Sequence, residues 1–304
     1  MSDYQVTILG SGSALSNIQT FHSAQVLKMN SKRFLIDAGE GVQIRLRQYH
    51  QKILAINHIF ISHLHGDHCL GLPGLISSLG MMGRTAPLFI HAHADLEKVM
   101  GEMIRYFCAD SPFDINFVSY NPYHAEEIYS DRTISVTTVP LKHRVPTCGF
   151  VFREKNKERH LNRALAESYE VPIAFYKNLK NGEDFVTPDG RVIANDRLTT
   201  PPSHAHSFAY ISDTAYLEKI VPLIENVDCL YHEATYLSTD DDRIRKTQHS
   251  SAAQAATIAK MANVGKLIIG HHSSRYNSYM PFIEEAKAIF PNTFSALDGT
   301  RIEF

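Results

Sequence analysis

Short apolar runs, each cut off by turn residues, organise the first half of the chain. Residues 6–9, 24–29, 34–37 and 58–62 each read as a strand, with Gly10-Ser11-Gly12-Ser13 and Ala38-Gly39-Glu40-Gly41 as breaks between them. Val42, Ile44 and Leu46 alternate, yet the Arg, Gln and Leu residues of 42–48 have good helix propensity, so a helix is expected there. Leu72, Leu75, Ile76 and Leu79 share one face of a predicted helix over 71–82. A strand at 88–91, a helix at 95–107 and strands at 115–120, 126–129, 134–140 and 148–153 follow. Beyond residue 207 strands and helices alternate: 208–212, 215–224, 229–233, 251–262, 266–270 and 281–289. Such alternation predicts sheets covered by helices, here an α/β fold drawn as a four-layer αββα sandwich, one domain over 1–304.

Residues 154–207 break the pattern. Arg153-Glu154-Lys155-Asn156-Lys157-Glu158-Arg159 is charge-rich, and Asn181-Gly182-Glu183-Asp184, Pro188-Asp189-Gly190 and Pro201-Pro202 are turn-rich. The expectation is a flexible inserted arm with little regular burial, which in a compact domain points to function or disorder.

Composition is that of an ordinary globular protein, 44% hydrophobic and 20% charged. No long apolar run marks a membrane span and no basic-plus-apolar leader is visible. Cys69, Cys108, Cys148 and Cys229 form no CxxC pair, which fits reduced thiols in a cytoplasmic protein. A net charge of −2 argues against wholesale nucleic-acid binding but leaves room for a local basic patch.

Seventeen histidines change the picture. Four candidate metal ligands, His63, His65, Asp67 and His68, fall within Ser62-His63-Leu64-His65-Gly66-Asp67-His68, directly after an apolar strand. A strand end points residues i and i+2 to one side, so His63 and His65 can grip one ion. Gly66 then permits a sharp turn that brings Asp67 and His68 to a neighbouring position. Imidazole and carboxylate without thiolate suit zinc or a similar divalent ion. One cluster is too few ligands for two ions; His143, Asp213 and His271, each after a predicted strand, are the candidates to complete the set. His91-Ala92-His93 and His204-Ala205-His206 have chelating spacing as well, though loop or packing residues are the plainer reading.

At this point the chain resembles the metallo-β-lactamase fold and, within it, the ribonuclease Z family of tRNA 3′-processing endonucleases. The resemblance runs in order through Ile8-Leu9-Gly10-Ser11-Gly12, Phe34-Leu35-Ile36-Asp37-Ala38-Gly39-Glu40-Gly41, the histidine cluster and Leu141-Lys142-His143-Arg144-Val145-Pro146-Thr147-Cys148-Gly149-Phe150. It continues through Tyr210-Ile211-Ser212-Asp213-Thr214, His232-Glu233-Ala234-Thr235, His249-Ser250-Ser251-Ala252-Ala253-Gln254-Ala255-Ala256 and His271-His272-Ser273-Ser274-Arg275-Tyr276. The last three segments are the most specific to ribonuclease Z.

The resemblance implies two zinc ions per chain. His63, His65 and His143 bind one, Asp67, His68 and His271 the other, and Asp213 bridges them; Asp37 holds the cluster loop. Hydroxide attack on the phosphodiester follows from two such ions, and the resemblance implies that Asp67 orients or deprotonates the water. The leaving 3′-oxygen needs a proton, for which His249 paired with Glu233 is the candidate, the alternative being that the pair only braces the loop near the metals. The resemblance further implies a homodimer acting on precursor tRNA, gripped by Arg153, Lys155, Lys157, Arg159 and Lys177 of the arm; Arg275 is a candidate to contact phosphate or, equally, to pin its own loop. Two departures bear on that grip. The arm carries Val171-Pro172-Ile173-Ala174-Phe175-Tyr176 where the family has a Gly-Pro pair, and Ser16-Asn17-Ile18-Gln19-Thr20-Phe21-His22 replaces a Pro- and Arg-containing form. The rival reading is a hydrolase of small phosphodiesters or aryl sulfates on the same fold.

Overall fold

In the computed structural model, which describes residues 3–15, 20–155 and 157–304, the alternating runs pair into two seven-stranded sheets. Across the first lie Arg301–Glu303, Tyr4–Gly10, Ala24–Met29, Lys32–Ile36, Ile56–Phe60, Leu88–His93 and Ile115–Tyr120. Neighbours are antiparallel as far as Lys32–Ile36 and parallel from there on. The second runs Thr293–Ser295, Lys266–Gly270, Cys229–Glu233, Ser207–Ile211, Cys148–Glu154, Ile134–Pro140 and Glu127–Ser130, its first four strands parallel.

Strand side chains alternate between faces, and each sheet uses both. Val26, Leu35, Ile59 and Ile90 of the first sheet share a core with Leu46, Leu75, Ile76, Leu96 and Met100 of the helices Val42–Gln48, Leu72–Met81 and Asp95–Phe107. Their neighbours Phe34 and Phe60 turn the other way and meet Phe150 and Phe152 of the second sheet, with ring centroids 5.2 Å apart for Phe60 and Phe152 and 5.4 Å for Phe34 and Phe152. The second sheet's far face, with Ala209, Ile211, Leu230, Leu267 and Ile269, is covered by Ala252–Met261 and Met280–Lys287. Helix, sheet, sheet, helix is the αββα order expected.

Ser251 starts Ala252–Met261 with a capping box, its hydroxyl accepting from Gln254 N–H while the Gln254 side chain accepts from Ser251 N–H. The helix expected over 215–224 is instead a short 3-10 helix, Glu218–Leu223, with Pro222 inside it. Proline supplies no N–H and obstructs the preceding turn of an α-helix. The departure at Ser16–Gln19 lies outside the described residues.

Arg132–Ile134 and Arg153–His206 form a second compact unit. Here the expectation of little regular burial is corrected. Short helices, Arg163–Ser168, Tyr176–Lys180 and Asn195–Leu198, and two-residue strands enclose Ala166, Val171, Leu179, Phe185, Ile193 and Leu198. Asn195 braces it, donating from Nδ2 to the carbonyls of Leu179 and Glu183, both at 2.8 Å. Elements this short carry too few turns for an apolar period to register. Among the described residues no helix is long and apolar enough to cross a membrane, and all four cysteines are free.

Candidate metal centre

Three parallel strands, Ile56–Phe60, Ser207–Ile211 and Lys266–Gly270, deliver His63, Asp213 and His271 just beyond their carboxyl ends, the edge where α/β sheets collect their ligands. Gly39 admits the cluster loop: a Cβ there would lie 2.5 Å from the Asp67 carbonyl oxygen. Asp37, fully buried and in the left-handed backbone region at φ 55°, accepts from Ser62 N–H at 2.8 Å, Ser62 Oγ at 2.9 Å, Tyr210 OH at 2.7 Å and His68 Nδ1 at 2.7 Å.

The first group is tight. His63 Nε2 stands 3.0 Å from His65 Nδ1, which is 3.3 Å from His143 Nε2. In the second, His68 Nε2 and His271 Nε2 are 3.4 Å apart and 3.6 and 3.5 Å from Asp67 Oδ2. Asp213 spans both. Its Oδ2 faces His63 at 3.6 Å and His143 at 3.8 Å, and its Oδ1 faces His68 at 3.6 Å and His271 at 3.5 Å.

Tautomers decide whether these nitrogens suit a cation. His143 Nδ1 lies 3.1 Å from the Gln248 carbonyl, an acceptor only, so Nδ1 donates and Nε2 keeps its lone pair. Ser62 Oγ donates to Asp37 and accepts from His63 Nδ1 at 3.0 Å, which leaves His63 Nε2 bare. Thr235 Oγ1 donates to Glu233 Oε2 at 2.9 Å and accepts from His271 Nδ1 at 3.1 Å, with the same result for His271 Nε2. The lone pairs of His63 Nε2, His143 Nε2 and His271 Nε2 therefore point at neighbouring donors with only a proton or a cation able to sit between them. Asp213 Oδ1, buried without a hydrogen-bond partner, completes the case. The donor set fits divalent metal.

Charge tells the same story. Burial opposes ionising Asp213, but His271, His68, His249 and His63 hold it well below the usual carboxylate range. Burial disfavours charge on His68 too, yet Asp37, Asp213 and Asp67 raise it to about 10, a field that rewards positive charge at Nε2, whether proton or metal. Burial lowers His143 to about 4, so it stays neutral and able to ligate.

Beside the donors stands a carboxylate–imidazole pair. Glu233, fully buried, accepts at Oε1 from His249 Nδ1 at 2.9 Å, Ser250 N–H at 3.0 Å and Thr214 N–H at 3.1 Å. Burial works against a charged His249, but Glu233 and Asp213 outweigh it and raise it to about 9.

Other sequence candidates fall elsewhere. His272 turns away, donating from Nδ1 to the Ala234 carbonyl at 2.8 Å with its ring 4.2 Å from Phe282. His91 stacks on Phe60 at 4.4 Å and meets His58 at 3.1 Å, a packing role rather than chelation with His93. Arg275 is exposed. Thr235, Ser62 and Gln248 escaped sequence reasoning as tautomer-setting residues; only Thr235 had a signal, its place after His232-Glu233.

Ribonuclease Z of Phocaeicola vulgatus is 45% identical over 302 residues, 99% of this chain and 98% of that protein. The chain belongs to the ribonuclease Z family. Ribonuclease Z of Parabacteroides distasonis is 46% identical, with 99% of each chain covered. Residues 4–158 also belong to the family described as Anti-Pycsar protein Apyc1, a stretch that ends before Asp213, Glu233, His249 and His271. Human tRNase Z, short form, superposes with TM-score 0.70 at 22% identity over 98% of both chains. YhfI of Bacillus subtilis, a metallo-β-lactamase fold protein, does so with TM-score 0.69 at 19% over the whole of both. The αββα sandwich of this ribonuclease Z relative is therefore the metallo-β-lactamase fold.

In the smaller unit, Arg159, His160, Arg163, Tyr176, Lys177 and Lys180 line a cavity of about 640 Å³. Two of the expected grip residues are engaged within the unit. Lys157 pairs with Glu154 at 2.9 Å, and Arg159 pairs with Asp196 and donates to Thr199 Oγ1 at 2.7 Å. Lys155 and Lys177 are exposed.

Proposed function

We propose that this chain is a zinc-dependent endoribonuclease that removes the 3′ trailer from tRNA precursors and leaves a 3′-hydroxyl on the tRNA. The observation that carries the reading is the division of Asp213, one oxygen toward each histidine group. In this reading His63, His65, His143 and Asp213 hold one ion, and Asp67, His68, His271 and Asp213 the other. When bound, such a pair supplies Lewis acidity toward the phosphate and makes water nucleophilic at neutral pH.

The remaining work falls to the protein. Asp67 stays ionised despite its burial, because His68 and His271 favour the charged form, and its carboxylate orients the attacking water. As the new oxygen–phosphorus bond forms, the bond to the tRNA 3′-oxygen breaks and the phosphate departs with the trailer. His249, charged beside Glu233, gives its proton to that 3′-oxygen. Glu233 holds the imidazole and stabilises its positive form.

Incubating purified protein with a 3′-extended tRNA precursor should yield a single cut at the trailer junction, and chelation should abolish it until zinc is restored. Turnover of bis-nitrophenyl phosphate with an intact precursor would sink the tRNA reading and favour the small-phosphodiester alternative.

We assign the smaller unit the task of holding tRNA phosphates, on the family resemblance and its Arg153, Lys155, Lys157, Arg159 and Lys177. Because Lys157 and Arg159 already have acidic partners, the exposed Arg163 and Lys177 carry more of the contact. Arg163→Glu with Lys177→Glu should raise KM for precursor tRNA about tenfold, more steeply at low salt, and leave bis-nitrophenyl phosphate hydrolysis unchanged; an unaltered tRNA KM would refute the assignment. The same resemblance makes the working enzyme a homodimer.

A further inference from the structure

Asp298 stands in a turn over 297–300, closed by Thr300 N–H donating to the Leu297 carbonyl at 2.9 Å, with Gly299 at φ 87°. The turn carries the chain from Thr293–Ser295 in the second sheet to Arg301–Glu303 in the first. Its carboxylate is 7% exposed and committed on both oxygens. Oδ1 accepts from Ser11 N–H at 3.0 Å and Ser11 Oγ at 2.8 Å; Oδ2 accepts from Phe21 N–H at 2.9 Å and from Arg45 at 2.7 Å. Arg45 is fixed in turn. Its Nε donates to the Leu9 carbonyl at 3.0 Å, and its guanidinium lies 4.2 Å from the Phe21 ring centre.

Ser11 is where this network touches the metal centre. Its carbonyl accepts from His271 N–H at 2.9 Å, and Gly12 bridges to His272 alongside. His271 has φ 61°, a left-handed backbone that L-residues seldom adopt and that surrounding structure must enforce. The bond to Ser11 ties the His271 backbone, and Thr235 fixes its ring. An amide at 298 keeps one acceptor oxygen and turns the other into a donor, so either Ser11 or the Phe21 N–H and Arg45 lose their acceptor, and Arg45 is left buried beside a neutral partner.

We propose that Asp298 is a positioning residue for the second metal group, acting through Ser11 on the backbone of His271. The inference rests on the two-ion reading above. Among the described residues His271 is the histidine donor whose backbone hydrogen-bonds Ser11 directly, so a defect at the 297–300 turn falls first on its group.

The test is calorimetric zinc titration of the metal-free full chain, comparing wild type, His271→Ala, Asp298→Asn and Ser11→Ala, with circular dichroism to verify folding. His271→Ala identifies the binding step that belongs to its group. Asp298→Asn should weaken that same step by about tenfold to a hundredfold and leave the other as in wild type; Ser11→Ala should weaken it less. Folded Asp298→Asn with both steps unchanged, or both weakened alike, overturns the positioning role. If Asp298→Asn does not fold, Ser11→Ala decides by the same criterion. Wild type with fewer than two steps overturns instead the two-ion reading beneath it.

Discussion

Asp213→Ala will lose both bound metal and nearly all cleavage. Its two oxygens face four imidazoles from different segments, and one of them, Oδ1, is buried with no other partner. Alanine removes the carboxylate that faces both histidine groups, so His63 and His143 lose it outright while His68 and His271 keep that of Asp67. Elemental analysis should find the content falling from two ions per chain to one or none, and single-turnover cleavage of precursor tRNA should drop at least about a thousandfold, some 4 kcal/mol in barrier. Asp213→Asn, similar in shape but uncharged, should fall between. A folded Asp213→Ala protein with two ions and ordinary turnover would end the shared-carboxylate account.

His249→Ala separates proton transfer from metal binding. His249 donates to Glu233 at 2.9 Å and stands 4.0 Å from Asp213; in the two-ion reading it is not a ligand, so its loss should leave metal content unchanged while kcat falls about a hundredfold to ten-thousandfold. In the proposed mechanism the acid form is the active one. Burial disfavours it, but Glu233 and Asp213 raise the value to about 9, and cations sharing Asp213 would draw it lower. The wild-type rate therefore falls as pH climbs past this value and the proton is lost, and the variant should lack that alkaline limb. A substrate whose leaving atom is sulfur needs no proton and should restore most of the variant's rate. Loss of metal on substitution would instead make His249 a brace for the loop.

Much of this centre could be read from residue order because its chemistry follows strand ends. An apolar run stops, and a donor follows at His63, Asp213 or His271; the period of two reveals the run and the residue type reveals the donor. The αββα layering was legible for the same reason, since each strand with two apolar faces demands a cover on both. Three things were not legible. The core of the smaller unit is built from elements of two to six residues, below the length at which periodicity speaks. At 215–224 the strand–helix alternation predicts a helix, but Pro222 limits it to the 3-10 helix Glu218–Leu223. Asp298 acts through a carboxylate brought in from distant sequence, and Gln248 through a main-chain carbonyl, which no residue type announces.

The donors are divided between the sheets: His63, His65, Asp67 and His68 follow strands of the first, while His143, Asp213 and His271 follow strands of the second. A partly synthesised chain that stops short of residue 271 therefore carries six of the seven donors and lacks the one that completes the second group. In the two-ion reading the second group closes only once Lys266–Gly270 has taken its place in the second sheet.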